Sequence, residues 1–516
     1  MKKGRAFIYL LFGLLFFASC SESYLDTKPT GSIKDEETFR TTAACYSAVN
    51  GLARLMTTQW ASSQGYNGEG TIKMYYGNYA GADFFVDRSS SANMFNSSLH
   101  ENPDVIQDYY PWAYYYAIIR NANAILENVD KAEGLEVDRI NIKAQAFTYR
   151  AYSFFMLSQL YSKRWMDEKG KNKAIVLRTS TASGDMPLST LEEVYTQVYS
   201  DLGASLDLFR KTTKKNRSFN YEVDSLVTKS IWARAALTRQ DYAKAAEMAV
   251  AVYPSFPLMS NDDYKAGFYT PNKEWIWSSY GASSENLYFY SYFAYIAYNS
   301  TASSVRSYPA AISKELYRKI PLTDMRRSLW LFPSAAKDSA LIGKPNKTDE
   351  AALRSAFPKI DKDASTKYYM QFKIACEVIP GVGNLNHFRS AEMYLIAAES
   401  YARLGGTDNE KKAQDLLIVL NKTSGRNPSY ACTKTGAALI DEVMLYRRIE
   451  LWGEGFDWFD LKRTGMSRVR NGSTKYGNFA SYVEGTLLPT DANNWTWIIP
   501  NAETDYNFGI DNVTVN

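Results

Sequence analysis

Apolar residues recur at three- and four-residue spacing along most of the chain, the period that lines one face of an α-helix. The spacing predicts a first helix over Asp35–Met56, where Phe39, Ala43, Tyr46, Val49, Leu52 and Met56 share a stripe. It predicts further helices over Val105–Asn128, Asp138–Tyr161, Leu191–Phe209, Ser225–Thr238, Tyr242–Tyr253, Arg389–Leu404, Asn409–Asn421 and Ala437–Trp452. Leu191–Phe209 opens after Ser189-Thr190 and carries Glu192 and Glu193 in its first turn, where the helix dipole favours acids.

Several helices fall into antiparallel pairs. Ile231–Ala245 reads as an Ala-rich helix, a tight Gln-Asp-Tyr turn and a second Ala-rich helix, similar to a tetratricopeptide unit. Met393–Leu404, Gly405-Gly406 and Lys411–Leu420 read as another such pair. Thr57–Pro103 and Pro254–His387 lack this period and are rich in Gly, Ser, Asn, Pro and Tyr; loops and short strands are expected there, with Trp275–Tyr280 as one strand. The expected fold is mainly α. Tetratricopeptide-like pairs form a scaffold (35–56, 105–253 and 388–465), and 57–104 and 254–387 form an irregular, loop-rich face within one domain, 35–516.

The N-terminus breaks from this pattern. Basic Lys2, Lys3 and Arg5 precede a twelve-residue apolar run, Ala6–Phe17, too short to span a bilayer and of the length of a secretory signal. It ends in Phe17-Ala18-Ser19-Cys20, which resembles the lipobox of bacterial lipoproteins, with Phe17 where that pattern prefers Leu. Residues 1–19 are therefore read as a lipoprotein signal peptide, Cys20 as the lipidation site and 20–34 as a lipidated tether. With those basic residues removed, a formal charge of +4 falls to near neutral, which does not suit nucleic acid.

Aromatic content changes the picture more than charge does. The chain holds 39 Tyr, 25 Phe and 11 Trp, more rings than a core ordinarily needs, and surplus surface rings suit sugar stacking or protein interfaces. Catalytic and metal signatures are lacking. The two histidines, His100 and His387, stand apart, and no zinc-ligand, nucleophile-elbow or phosphate-loop pattern occurs. Carboxylate pairs abound among 55 acids, so a glycosidase dyad stays open. Cys45, Cys376 and Cys432 have neither metal nor disulfide-framework spacing and read as small buried hydrophobes, although a bridge between one pair stays open. No metal or cofactor is expected.

Tyr446–Arg463 interleaves charges with two Trp and two Phe. Arg/Glu and Arg/Asp pairs packed beneath rings reconcile the two, and Gly453 and Gly455 suggest a helix stop with close backbone approach. This block resembles the C-terminal signature of the SusD/RagB family, with Asp457 in place of a frequent Arg. Further segments agree in order: Cys20, Tyr24-Leu25-Asp26 with Pro29, Arg120–Asn123 with Glu127, Ala146–Tyr152, Asp324–Arg327, Arg389–Glu399 and Ile499-Pro500 with Glu503 and Asn507. The resemblance implies a non-enzymatic lipoprotein at the outer membrane. It would bind an oligosaccharide and serve a SusC-like TonB-dependent transporter; a surface glycoside hydrolase or a peptide binder of the same fold are the alternatives. Ring-dense segments outside the helix pairs give the ligand candidates: Phe84, Phe85, Tyr288, Tyr290 and Tyr292 for stacking, with Asp83, Asp87 and Arg88 for hydroxyls. Trp277 and Trp60 stand in reserve.

Overall fold

The computed structural model describes residues 38–59, 65–212, 217–283, 290–333, 345–491 and 495–510. Cys20, Trp60 and Tyr288 lie outside the described residues.

The fold is mainly α. Its longer helices are α1 (Thr42–Leu55), α2 (Ile106–Asn128), α3 (Glu136–Tyr161), α4 (Leu191–Lys211), α5 (Ser225–Thr238), α6 (Tyr242–Val250), α7 (Ser390–Leu404), α8 (Thr407–Ile418), α9 (Gly436–Glu450) and α10 (Asp457–Thr464). Helices α2 to α6 pack each on the next, and α6 hands over to α7 across the long irregular stretch between them. Helix α7 in turn meets α8 and α9, while α1 lies against α2 and α3. The pairing follows from the turns. Between α5 and α6, Gln240 takes a left-handed φ of 65° and Asp241 caps α6, accepting from the Lys244 N–H at 3.2 Å. Between α7 and α8 the turn is Gly405-Gly406, both at positive φ. Thr190 and Glu193 form a reciprocal capping box on α4. Pro111 lies inside α2 and frees the carbonyl of Gln107; the Tyr76 hydroxyl donates to it instead.

The expectation of loops and short strands over 57–104 holds at Phe84–Phe85 and is corrected over 68–79. Gly68–Thr71 is an α-turn that runs into a π-helix, Ile72–Tyr79, and nearly every residue in both is buried. A segment covered on all sides shows no amphipathic period, and a π-turn shifts whatever spacing remains. The close approach expected at the glycines is present: a Cβ on Gly77 would lie 2.2 Å from the Gly455 carbonyl oxygen. Asn78 then bonds both sides of that turn, donating to Gly453 O at 2.7 Å and accepting from Gly455 N at 2.9 Å.

Strands are short. Among the described residues they are β1 (Phe84–Phe85), β2 (Trp275–Ser279), β3 (Ala311–Ile312), β4 (Leu385–Arg389), β5 (Arg468–Arg470) and β6 (Gly485–Leu487), paired antiparallel as β1–β3, β2–β4 and β5–β6. Cys45, Cys376 and Cys432 are free and buried, and burial pushes the Cys376 thiol up to about 11.

Where the irregular segments meet the helices, the core is charged. Arg326, Lys373, Arg389 and Arg426 face Glu274, Asp324, Glu450 and Glu454, and no side chain among them is more than 8% exposed. Arg389 reaches Glu274 at 2.6 Å and Glu450 and Glu454 at 2.8 Å. Arg326 joins Asp324 at 2.6 Å to Glu450 at 2.7 Å, and Lys373 meets Glu454 at 2.6 Å. Burial alone would raise the Glu450 and Glu454 carboxyls, but the adjacent cations outweigh it; Glu454 is held down at about 2 and Glu450 lower still.

Glu450→Gln keeps the shape but leaves three arginines short of counter-charge, and it is expected to cost about 3–5 kcal/mol in urea unfolding. Asp415→Asn, which breaks the exposed Lys411–Asp415 pair, is expected to cost less than about 1 kcal/mol. Because carboxyls that titrate near 4.5 when unfolded are depressed in the fold, their contribution is complete above that pH and is lost as pH falls toward 2. Melting temperature is therefore expected to hold from pH 7 to 5 and to drop steadily from pH 4 to 2.5.

Candidate functional site

The sequence candidates separate into two groups. Phe84 and Phe85 are each 1% exposed and belong to the core, so they are withdrawn as ligand contacts. Successive strand residues face opposite sides, and here both sides are covered. The Phe84 ring stacks on Trp452 and Tyr79 at 5.4 and 5.6 Å, while Phe85 packs on Phe479 and Phe95 at 5.0 and 6.1 Å. Asp83 is buried too, with both carboxylate oxygens on Arg448 at 2.7 Å. Trp277, held in reserve, is a core ring against Tyr149 and Tyr152.

Of the remaining candidates, Tyr292 lines a pocket of about 550 Å³, its open mouth included, and Tyr290 precedes Ser291 in the same wall. Its walls are the end of α1 (Met56), Asn67 and Gly70, the end of β2 with Tyr280 and Gly281, Ser291–Phe293, Gly381–Gly383 and Leu385. The walls are pinned by close contacts. A Cβ on Gly281 would lie 2.1 Å from the Gly383 carbonyl oxygen, so only glycine lets these loops touch, and the Ser291 hydroxyl donates to Gly381 O. Tyr292 is nearly buried, its hydroxyl tied to Gly453 O at 2.6 Å; it is wall rather than rim. Tyr280 is 63% exposed on the wall, and Tyr290 is 40% exposed beside it. Asn67 donates to Tyr290 O at 2.9 Å, yet its buried Oδ1 has no partner among the described residues, which leaves an acceptor in the pocket wall.

From Tyr290 the rings continue. Tyr290, Tyr75 and Tyr295 surround Gly65, and the Tyr75 hydroxyl donates to Tyr295 at 2.9 Å. Burial raises the Tyr295 hydroxyl, and the nearby Arg88 charge pulls it back. Arg88 itself lies 5.8 Å from the ring of exposed Tyr308. Asp87 is engaged by Lys367 at 2.9 Å and by the Tyr482 hydroxyl at 3.0 Å. Thus Arg88, Tyr290 and Tyr292 fall along one belt with Asp87 at its end, while Tyr280, Tyr308 and Asn67 were missed. Tyr280 carried a weak signal: it ends the Trp-Ile-Trp-Ser-Ser-Tyr strand pattern, beyond the stretch that the core covers.

Such a surface can stack on ring faces and exchange hydrogen bonds with hydroxyls. Among the described residues, its one contact of catalytic type is Ser279 Oγ to His387 Nε2 at 2.6 Å. Burial first, then Lys73 and Arg234, drives the imidazole well below its usual range, and Nδ1 has no partner among the described residues to orient the ring. No cluster of three His, Cys, Asp or Glu able to hold a metal occurs among the described residues.

Comparison with known proteins agrees with this architecture. Residues 23–236 match a family described as "Starch-binding associating with outer membrane", and residues 141–514 match the SusD family. SusD-like protein P2 of Formosa agariphila is 25% identical over 487 residues, covering 90% of this chain and 91% of its own. A SusD-like carbohydrate binding protein from Bacteroides vulgatus superposes with a TM-score of 0.75 at 23% identity, over 92% of this chain and 98% of its own. A SusD superfamily protein from Bacteroides thetaiotaomicron does so with a TM-score of 0.73 at 22% identity, over 91% and 99%. With the family match running through most of the helical scaffold and the whole C-terminal charged block, the chain belongs to the SusD family.

Proposed function

We propose that this protein is a cell-surface lipoprotein that captures an oligosaccharide and passes it to a SusC-like TonB-dependent transporter in the outer membrane, without catalysing a reaction. The observation that carries the ligand class is the pocket with exposed Tyr280 on its wall, exposed Tyr290 held next to it by Asn67, and an Asn67 Oδ1 without a partner among the described residues. A pyranose presents C–H faces that pack on such rings, and its hydroxyls supply the donor that Asn67 lacks. The name of the Bacteroides vulgatus neighbour, a carbohydrate binding protein, supports the same class. Arg88, with Tyr308 beyond it, would extend the contact to a longer chain of sugars.

Localisation rests on the sequence. The apolar run ending in Ala18-Ser19-Cys20 supports a lipid anchor at Cys20, and none of the described helices is long and apolar enough to cross a membrane. A tether of residues 20–34 would then hold the binding face near a transporter mouth.

In calorimetry with oligosaccharides, Tyr280→Ala and Tyr290→Ala are each expected to weaken binding by about 1–3 kcal/mol while unfolding like the parent. Phe84→Ala is expected to do the reverse, losing about 3–5 kcal/mol of stability through its core cavity. Full-strength binding by both Tyr variants would move the site elsewhere. At native expression, Cys20→Ala is expected to leave the protein folded but released from outer-membrane fractions, since stable attachment needs the full lipid modification. Crosslinking of the parent before lysis is expected to recover a large β-barrel partner, and recovery of the protein alone would count against the transporter role.

A further inference from the structure

A second depression, of about 510 Å³ with its open mouth included, lies between α3, α5, the Glu69–Lys73 segment and the turn that joins α9 to α10. Unlike the aromatic pocket, its wall is charged. Most of these charges are matched. Arg234 gives Nε and Nη2 to Glu392 at 2.6 and 2.7 Å. Arg463 gives two bonds of 2.7 Å to Glu399 and one of 2.8 Å to Asp460. Glu454 is held by Arg389 and Lys373. Glu69, pushed up by burial, accepts from the hydroxyls of Tyr152, Tyr115 and Tyr114 at 2.6 to 3.2 Å.

Two donors remain. Lys73 is buried, and its ammonium donates to the backbone oxygen of Glu454 at 3.0 Å, with no carboxylate at ion-pair distance among the described residues. Arg447 is 2% exposed, commits Nε to Asp460 at 2.6 Å and leaves its buried Nη1 without a partner. Both line the depression. A buried cation without its counter-charge is costly, and a buried N–H without an acceptor adds to that cost. Beside them sits Phe456, its ring centre 5.4 Å from Lys73 Nζ, 5.2 Å from the Arg447 guanidinium and 5.0 Å from that of Arg234. Phe456 and Phe459 also line the space, so the donors open onto apolar ring surface.

We propose that this cavity is a second ligand site, which takes a small monocarboxylate bearing a ring, the chemistry of a monomeric uronic acid. Its carboxylate is received by Lys73 Nζ and Arg447 Nη1, and its C–H face lies on Phe456 and Phe459. A single negative charge matches the one ammonium left unpaired, and two adjoining rings favour an organic acid over a bare inorganic anion. The site is independent of the Tyr280 pocket, which shares none of these residues.

The ammonium also sets a pH dependence. Burial first, then the Arg234 charge, lowers Lys73 to about 8, against the opposing pull of Glu454, Glu69 and Glu392. The ammonium that receives the ligand is therefore charged at pH 7 and loses its charge above pH 8.

Calorimetry with glucuronate, glucose and acetate tests the assignment, using the parent at pH 7.0 and 9.5 and Lys73→Met at pH 7.0, with circular dichroism on each sample. Glucuronate is expected to bind the parent at pH 7.0, at least tenfold more weakly at pH 9.5 and at least tenfold more weakly in Lys73→Met. Acetate, which has the charge without the ring, and glucose, which has the ring without the charge, are each expected to bind at least tenfold more weakly than glucuronate. Absence of glucuronate binding, meaning a water-filled cavity only, overturns the proposal. So does binding that is indifferent to Lys73→Met, or acetate binding as tight as glucuronate. If Lys73→Met does not fold, the pH comparison decides: equal affinity at the two pH values rejects the site.

Discussion

Four cations and four carboxylates cannot be taken out of water separately. Arg326, Lys373, Arg389 and Arg426 are buried only because Glu274, Asp324, Glu450 and Glu454 arrive at the same place. Those eight residues come from the end of β4, from α9, the turn after α9, and stretches of irregular chain that have no helical packing of their own. The requirement to neutralise one another fixes loops that hydrophobic burial alone would leave underdetermined. A well-packed apolar replacement is often as stable as a buried ion network, so its consequence here is to specify one arrangement of the irregular chain.

That arrangement reaches the candidate ligand pocket through β2 and β4. At one end of the ladder Glu274 and Arg389 form their ion pair, and Trp275 lies opposite Arg389. At the other end Ser279 pairs with Leu385, and both line the pocket that Tyr280 rims. Five residues of strand make a strut of about 13 Å between the charged core and the pocket. On the other wall, the turn after α9 carries Glu454 into the network and offers Gly453 O to the Tyr292 hydroxyl. The pocket is thus built on two lines of contact that start from the same cluster.

Much of the scaffold was legible in the sequence, because helices that bury one face repeat that face every three or four residues. α4, with Leu191, Val194, Tyr195, Val198, Leu202, Leu206 and Phe209 buried, and α1, with Cys45, Val49 and Leu52, are examples. The mixed charge and ring content of Tyr446–Arg463 also told correctly of ion pairs beneath aromatics. Their partners did not show. Glu274 and Lys373 stand far from Arg389 and Glu450 in the chain, and long-range ion pairs leave no periodic trace. Asp324–Arg327, Arg389–Glu399 and Tyr446–Arg463 carried the family resemblance as separate segments, and the structure shows them meeting in or beside one network. Ile72–Tyr79 was unreadable for the opposite reason, since a helix buried on every side has no polar stripe. Phe84 and Phe85 failed as ligand contacts because ring density marks both cores and binding faces. Only the neighbours, Trp452 and Phe479 among them, decide between the two.

The central claim is that the charged cluster locks the irregular segments to the helices as one cooperative unit. Native-state hydrogen exchange tests it most directly, because it reads the opening free energy of each segment separately. Amides of Trp275–Ser279, of residues 371–376 and of α7 and α9 are expected to open together, at one common free energy near that of global unfolding. Exchange from β2 and 371–376 at a distinctly lower free energy, with α7 and α9 still protected, would contradict the claim.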